Sequence, residues 1–429
     1  MQKKTIRKMH LISLMTFFAI HPFAQVSVDA KAKEIDSQVL EWYRDFHENP
    51  ELSNREFRTS GIVASHLEKL GFEVQKNVAH TGVVGILRGS KGGPVIALRA
   101  DMDALPVKEE LDLPYASKAK AIYEGDEVDV MHACGHDAHM ACLMGAAEIL
   151  AQMKSQLKGT VIFVFQPAEE GAPQGEEGGA ELMIKEGIFD ELHPEAVFAL
   201  HTDGRFDVGT LAVRPMGICA AADRLEIKVE GQQTHGAFPW DGVDPIVVAS
   251  QIVIGLQLIP SRQLNMSIAP SLVTIGRING GVRGNIIPNE VTMLGTIRTL
   301  DKAIQTEFHD RIRHTATRIA EASNATATVK ITKEVPVTYN DVELLAQMRT
   351  SLIKVVGEEN LIVPPVDMTT EDFPFLTQNS KGLYFNLGVK TPGKVIVPLH
   401  SPNYYVDERA LIIGVKSLTY LAVDYLNRN

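Results

Sequence analysis

His132-Ala133-Cys134-Gly135-His136-Asp137-Ala138-His139 is the stretch on which the reading of this 429-residue chain turns. An apolar run, Met140 to Met153 (MACLMGAAEILAQM), follows at once and reads as a buried or half-buried helix. Cys134 and His136 are two apart, so they do not share one helical face. They fit a tight turn in which Gly135 lets the backbone fold and both side chains point one way. The helix that starts here brings its positive end near Cys134, which favours a thiolate. Thiolate plus imidazole on one turn is a metal-binding arrangement. Taken alone, the same pattern also describes a buried structural cysteine beside surface histidines.

Working outward, three apolar runs end in chemistry. Val95-Ile96-Ala97-Leu98 leads into Arg99-Ala100-Asp101-Met102-Asp103; Thr160 to Phe165 leads into Gln166-Pro167-Ala168-Glu169-Glu170-Gly171; Ala196 to Leu200 leads into His201-Thr202-Asp203. Continuous apolar strands predict a sheet buried on both faces with helices between, an α/β fold. In such sheets ligands bind beyond the carboxyl ends of the strands. Asp101, Glu169, Glu170 and His201 are therefore expected to converge where the Cys134–His136 turn sits. Adjacent Glu169 and Glu170 repel each other, and burying both needs compensation. A divalent cation supplies it: one carboxylate ligates while its neighbour takes a proton from water. Glu176 and Glu177 read instead as an exposed acidic turn.

The remaining sequence sets the frame. With 45% hydrophobic and 22% charged residues the chain suits a soluble globular protein of two or more domains. A net charge of −11 argues against a nucleic-acid partner and against a basic membrane-binding face. Lys3, Lys4, Arg7 and Lys8 precede the apolar stretch Leu11 to Ile20, which is shorter than the roughly 20 residues that span a bilayer. We read residues 1–24 as a signal peptide, with export to the periplasm or outside the cell and no membrane attachment after its removal. The three cysteines, Cys134, Cys142 and Cys219, give no disulfide framework.

Helices are expected over Glu34 to His47 and Glu56 to Leu70, the latter stopped by Gly71, and strands over Gly82 to Leu87 and Pro94 to Arg99. The texture changes near residue 213. Asp223 to Glu230 alternates as a half-exposed strand, Val243 to Leu258 is helical, Leu272 to Arg277 and Val291 to Thr299 are strands, Lys302 to Ser323 is a helix and Thr326 to Val335 a strand. That order is the split βαβ order of a ferredoxin-like domain. The expected division is residues 30–212 for the first part of a catalytic domain, 213–332 for an inserted domain, and 333–429 for the rest. The last part carries a helix from Val342 to Val356, a strand from Leu383 to Leu387, the His400 loop and a closing helix from Glu408 to Leu426.

RADMDALPV at 99–107, MHACGHDAHM at 131–140, FQPAEEG at 165–171, GQQTHGAFP at 231–239, NIIPNE at 285–290, GTIRT at 295–299, TEDF at 370–373 and LHSPNYYVDE at 399–408 together resemble the metal-dependent amidohydrolases. This group includes hippurate hydrolases, N-acyl-amino-acid deacylases and auxin-conjugate hydrolases, and it is related to aminoacylase and carboxypeptidase-G-type metallopeptidases. The resemblance implies a metallopeptidase-type catalytic domain, a mixed sheet flanked by helices, with an inserted ferredoxin-like lid and dimerisation domain. It implies two divalent ions per subunit, zinc or manganese, held by Cys134, His136, Glu170, His201 and His400, with Cys134 as bridge. Glu169 is then the general base, and Asp101 the acid that orients a ligand. In the wider family a ligand His stands two residues before that acid; here Arg99 does. His132 and His139 match the motif without being expected as ligands.

The implied substrate is an N-acyl or aminoacyl amino acid. The implied partner is a second copy of the chain. Asn285 and Arg298 resemble a pair that binds the substrate carboxylate, although by residue type alone they also fit a turn and a surface strand. His235 corresponds to a histidine that reaches the partner's active site. A dipeptidase or carboxypeptidase of the same group is the alternative, and the Cys-Gly-His pair favours the amidohydrolase. A binding protein without turnover would have no use for Glu169 beside Glu170.

Overall fold

The structure, a computed structural model, describes residues 27–428; the expected signal peptide lies outside them. Its centre is an eight-stranded mixed sheet. In spatial order the strands are Glu73–Val78, Gly82–Arg88, Lys158–Gln166, Lys91–Asp101, Ala196–Asp207, Lys381–Lys390, Leu211–Ala212 and Leu361–Ile362. The three strands carrying the apolar runs are parallel neighbours: Ala97 pairs with Ile162 on one side and with Val197 on the other. Their chemistry-bearing ends therefore emerge at one edge.

Both faces of this sheet are covered, which is why those strands read as unbroken apolar runs. One face packs on the helices Val28–Glu48, His136–Gln152 and Arg409–Asn427, with Val39, Phe46, Phe163, Phe198, Leu411 and Leu418 in a single core. The other face carries a smaller core around Val164, Ala199, Met183, Phe373 and Tyr384. Helix His136–Gln152 is enclosed on nearly every side, with Met140, Leu143, Met144 and Leu150 fully buried. It lies between the two flanking helices, so its composition is apolar all round instead of striped.

A second, four-stranded antiparallel sheet stands apart. Its order is Ser271–Gly280, Glu290–Thr299, Ala221–Glu230 and Thr326–Val335. Helices Pro245–Arg262 and Lys302–Ala322 pack on it and enclose a core of its own, including Leu225, Ile227, Val229, Ile252, Met293 and Phe308. Leu225, Ile227 and Val229 are buried while Arg224 and Glu226 are exposed, the alternation visible in the sequence. Both helices begin at an aspartate whose side chain accepts from the first free amides: Asp244 from Ile246 and Val247, Asp301 from Ala303 and Ile304. The chain enters and leaves this unit along two paired strands, Met216–Cys219 and Thr338–Asn340. The last strand of the second sheet continues to Val335, past residue 332, and Pro336 is the first residue to break its pattern.

Candidate metal centre

Gly135 makes the turn. Its φ is +89°, and a Cβ there would lie 2.1 Å from Thr202 Oγ1, so only glycine fits. The turn sets Cys134 just before helix His136–Gln152 and His136 at its first residue. His136 Nδ1 donates to the carbonyl of Asp103 at 2.8 Å, and His201 Nδ1 donates to the carbonyl of Thr202 at 2.7 Å. Each carbonyl fixes a tautomer that leaves Nε2 as a bare lone pair. Those lone pairs converge: His201 Nε2 lies 3.4 Å from Cys134 Sγ, and ligand atoms of Cys134, His136 and His201 all lie within 4.8 Å of one another. On the other side Glu170 Oε1 stands 3.1 Å from His400 Nε2 and 3.9 Å from His136 Nε2. Cys134, Glu170 and His400 form a second group of the same tightness. His400 arrives on the loop after Pro398; its φ of +61° and its amide bond to the Ala133 carbonyl at 2.8 Å pin that loop to the cysteine turn.

This donor set fits divalent metal. His136 Nε2 and Glu170 Oε1 are buried and have no hydrogen-bond partner. Burial opposes a charge on His136, yet Asp101, Asp103 and Glu170 outweigh it and raise its pKa to about 10. The acids thus demand positive charge at an imidazole whose free nitrogen faces other ligands, and a cation at Nε2 supplies it without a proton. Burial first, then Glu170, Glu169 and Asp101, push the Cys134 thiol well above its ordinary pKa. The expected help from the helix N-terminus is outweighed, and a thiolate here requires a counter-cation. The two groups share Cys134, and together their donors would suit two divalent ions.

Glu169 sits beside this set. Its carboxylate belongs to one group with His136 and Glu170 and to another with Glu371 and Asp372. Burial first, then the charges of Glu371, Glu170 and Asp372, raise its pKa well above the ordinary value, with Arg99 opposing them. A carboxyl tuned upward and aimed beside metal ligands is suited to carry a proton. Cys134, Glu169, Glu170, His201 and His400 all line one cavity of about 250 Å³.

Asp101 lies behind the ligands. Its Oδ1 accepts from His139 Nδ1 at 2.5 Å, and its Oδ2 is 3.7 Å from His136 Nε2. Arg99 NH1 is 2.8 Å from the same Oδ2, too poorly aligned for a hydrogen bond. The guanidinium is fully buried and also meets Gln166, Glu371 and Asp372 at 2.8, 2.9 and 3.0 Å. Arg99 therefore places a fixed charge where the wider resemblance expects a ligand. His139 is neutral: burial brings its pKa down to about 4, and its Nε2 accepts from the Thr202 amide at 2.8 Å. His132 is fully enclosed, with neither ring nitrogen bonded.

The structure brings His235 and Asn285 together but apart from this cavity. His235 lies on the short strand Thr234–His235 paired with Ile286–Ile287, and the Gly236 amide donates to the Asn285 carbonyl at 2.8 Å. Arg298 bonds to Thr296 Oγ1 and the Ile297 carbonyl within its own strand. Among the described residues lining the cavity, none of the three appears.

Sequence reading missed the supports. Tyr404 hydroxyl donates to Thr202 Oγ1 at 2.9 Å, and Thr202 hydroxyl donates to the Cys134 carbonyl at 3.0 Å, a chain that fixes the turn from below. His47, read only as a helix end, places Nδ1 2.6 Å from Asp137 Oδ2 and Nε2 3.1 Å from Glu109 Oε1. Burial alone would lower its pKa, but bonds to Asp137 and Glu109 raise it to about 10, so this imidazole is charged. Asp103 and Glu371 stood inside the quoted motifs, and the only signal was their neighbourhood.

With the geometry in place, comparison with known proteins places it. The family model "Peptidase family M20/M25/M40" matches residues 97–424. Thermostable carboxypeptidase 2 of Saccharolobus solfataricus is 38% identical over 401 residues, covering 92% of this chain and 97% of the relative. N-acetyl-L-cysteine deacetylase of Bacillus subtilis is 36% identical over 378 residues, 88% of this chain and 86% of the relative. The crystal structure of Bacillus subtilis YXEP, described as a dinuclear metal binding peptidase from the M20 family, superposes with a TM-score of 0.78 at 32% identity, covering 92% of this chain and all of that one.

Proposed function

The chain belongs to peptidase family M20/M25/M40 and is a metal-dependent hydrolase of amide bonds, and from that premise we propose that it cleaves N-acyl or aminoacyl amino acids to a carboxylic acid and a free amino acid. The observation that carries this is the pair at 169–170: Glu170 reaches the imidazoles of His400 and His136, while Glu169, its neighbour, presents a second carboxyl group to the same cavity.

Cys134, His136, Glu170, His201 and His400 hold two divalent ions, zinc or manganese. Thiolate and imidazole donors suit zinc, and the carboxylates admit manganese. When bound, such ions acidify water and polarise a carbonyl. Glu169 takes the proton from the attacking water and returns it to the leaving nitrogen. Arg99 and Asp101 keep the surrounding charge fixed while that proton moves.

Asn285 and Arg298 bind the substrate carboxylate from the inserted unit; neither they nor His235 line the cavity of their own chain, and His235 makes its catalytic contact in the cavity of a second copy. The inserted unit offers a face for it. Ile254 and Leu258 on helix Pro245–Arg262 are 67% and 50% exposed, and strand Ser271–Gly280 is one of the two edges of its sheet. That helix is long and apolar enough to cross a membrane, with a third of it buried inside the chain. A homodimer through this face covers both the apolar stripe and the open edge. The N-terminal leader supports export.

The test is a screen of acetyl, benzoyl, indoleacetyl and aminoacyl amino acids on purified protein of known metal content. Hydrolysis of at least one class, abolished by chelation and restored by zinc or manganese, is expected. Turnover by fully demetallated protein would refute the assignment. The second reading, removal of the last residue of short peptides, is favoured by the carboxypeptidase among the relatives, and peptide substrates in the same screen separate the two.

A further inference from the structure

Three consecutive peptide N–H groups, those of Ala168, Glu169 and Glu170, are gripped by two carboxylates from distant parts of the chain. Ala168 N donates to Glu56 Oε1 at 3.0 Å, Glu169 N to Asp103 Oδ1 at 3.1 Å, and Glu170 N to Asp103 Oδ2 at 3.0 Å. Ala168 has a φ of +51°, a left-handed conformation that a non-glycine residue adopts only when its surroundings hold it there. Successive amides in such a turn form a concavity that binds anions. Here the anions belong to the protein.

Glu56 immediately precedes helix Phe57–Lys69, and Asp103 follows strand Lys91–Asp101. Both are buried, at 0% and 1% exposure. Each is itself anchored: Thr81 hydroxyl donates to Glu56 at 2.5 Å, and Ser53 hydroxyl donates to Asp103 at 2.7 Å. Asp103 also reaches the ligand side, with Oδ1 3.3 Å from His136 Nδ1. With the backbone of 168–170 held from behind, the two glutamate side chains reach the cavity on different courses. Glu170 meets His400 and His136; Glu169 lies toward Glu371 and Asp372.

We propose that Asp103, assisted by Glu56, is the positioning residue that divides the labour between the adjacent glutamates: by spanning two successive amides it fixes which carboxylate ligates and which stays free to carry the proton. This rests on the reading of Glu170 as ligand and Glu169 as base. Asp103 acts through the backbone and touches no reacting atom. The chemistry makes the two supports unequal. Asp103 must accept at both oxygens at once; an asparagine would turn an N–H₂ donor toward a peptide N–H donor. Glu56 needs one acceptor for Ala168, and its other oxygen faces a hydroxyl, which can reverse its bond. Glutamine can replace Glu56, and alanine cannot.

The experiment uses the full chain loaded with zinc. For Asp103→Asn, Glu56→Gln and Glu56→Ala, zinc affinity, Tm, kcat and KM are measured on the best N-acyl amino acid. Asp103→Asn should bind zinc about 10–100-fold more weakly. When saturated with zinc it should lose about 100-fold in kcat with KM little changed, as a misplaced base does. Glu56→Ala should follow it in direction, and Glu56→Gln should restore both readouts. The proposal is overturned if Asp103→Asn loses only Tm while zinc affinity and kcat stay at wild-type values. It is equally overturned if Glu56→Gln is as impaired as Glu56→Ala, a comparison that stands even if Asp103→Asn does not fold. If Glu169→Gln turns over like wild type, the reading of the base fails instead; kcat then no longer reports on the brace, and zinc affinity alone decides it, an unchanged value in Asp103→Asn rejecting it.

Discussion

Replacing His47 by glutamine removes a buried charge that two acids share. His47 is 2% exposed, and its partners Asp137 and Glu109 are 1% exposed at their side chains, so solvent cannot take over its role. The rise of its pKa from 6.5 to about 10 corresponds to a ceiling of roughly 5 kcal/mol at 1.36 kcal/mol per pH unit. Removing one member of a buried pair costs about 3–5 kcal/mol on general grounds, which agrees. The sign follows from linkage. A histidine whose pKa is raised on folding contributes fully below its unfolded pKa near 6.5, and the contribution fades as pH climbs toward 10. Urea unfolding of wild type and His47→Gln at equal metal content, at pH 6, 8 and 9.5, measures the gap directly. The expected gap is about 3–5 kcal/mol at pH 6 and about 2 kcal/mol smaller at pH 8, shrinking further at pH 9.5. A gap that stays constant across this range, or no gap at pH 6, would refute the charged assignment of His47.

Three further outcomes are expected. Glu169→Gln should keep its metal, measured by elemental analysis, and lose about 10²–10⁴-fold in turnover, whereas Glu170→Gln should lose metal; the opposite pattern reverses the two roles. Gly135→Ala must move Thr202 out of the way of its Cβ and adopt a positive φ at about 1–3 kcal/mol, so metal occupancy and Tm should both fall, and an unaffected variant would show that the turn is more pliable than its geometry implies. His235→Ala and Glu169→Ala should each be nearly inactive alone, and co-expressed chains should regain activity in the heterodimer; purified heterodimers with no recovery would place His235 outside catalysis across the interface.

The parts legible in the sequence were those written in local pattern. The run Thr160 to Phe165 announced a buried strand, observed as Lys158–Gln166, whereas the run Ala196 to Leu200 continues as strand to Asp207, past the polar residues that ended its apolar pattern. Gly135 between two ligand-type residues announced a turn, and the positive φ bears this out. Less legible were features made by pairing at a distance. Strand Glu73–Val78 is mostly exposed and polar, so it lacks an apolar signature and exists because Gly82–Arg88 lies beside it. Arg99 reads as a strand residue, and only the fold gives it four polar partners. The rise in the Cys134 pKa could not be seen either, because it comes from burial and from acids on other strands.

The central sheet also dictates when the molecule can come into being. Strand Lys381–Lys390 lies beside Ala196–Asp207 in the interior of the sheet, and Asn386 donates to Asp203 across 183 positions of sequence. The second sheet is paired wholly within residues 221–335, although Val366 and Met368 also pack on its core, so its strands can pair before the rest of the chain is made. The catalytic body cannot, because its sheet waits for a strand near the end of the message, and His400 follows that strand. Loop closure over such a span is slow compared with local pairing. A nascent chain that still lacks Lys381–Lys390 therefore has a gap in its central sheet between Ala196–Asp207 and Leu211–Ala212, and the loop of His400 has no sheet to be anchored to.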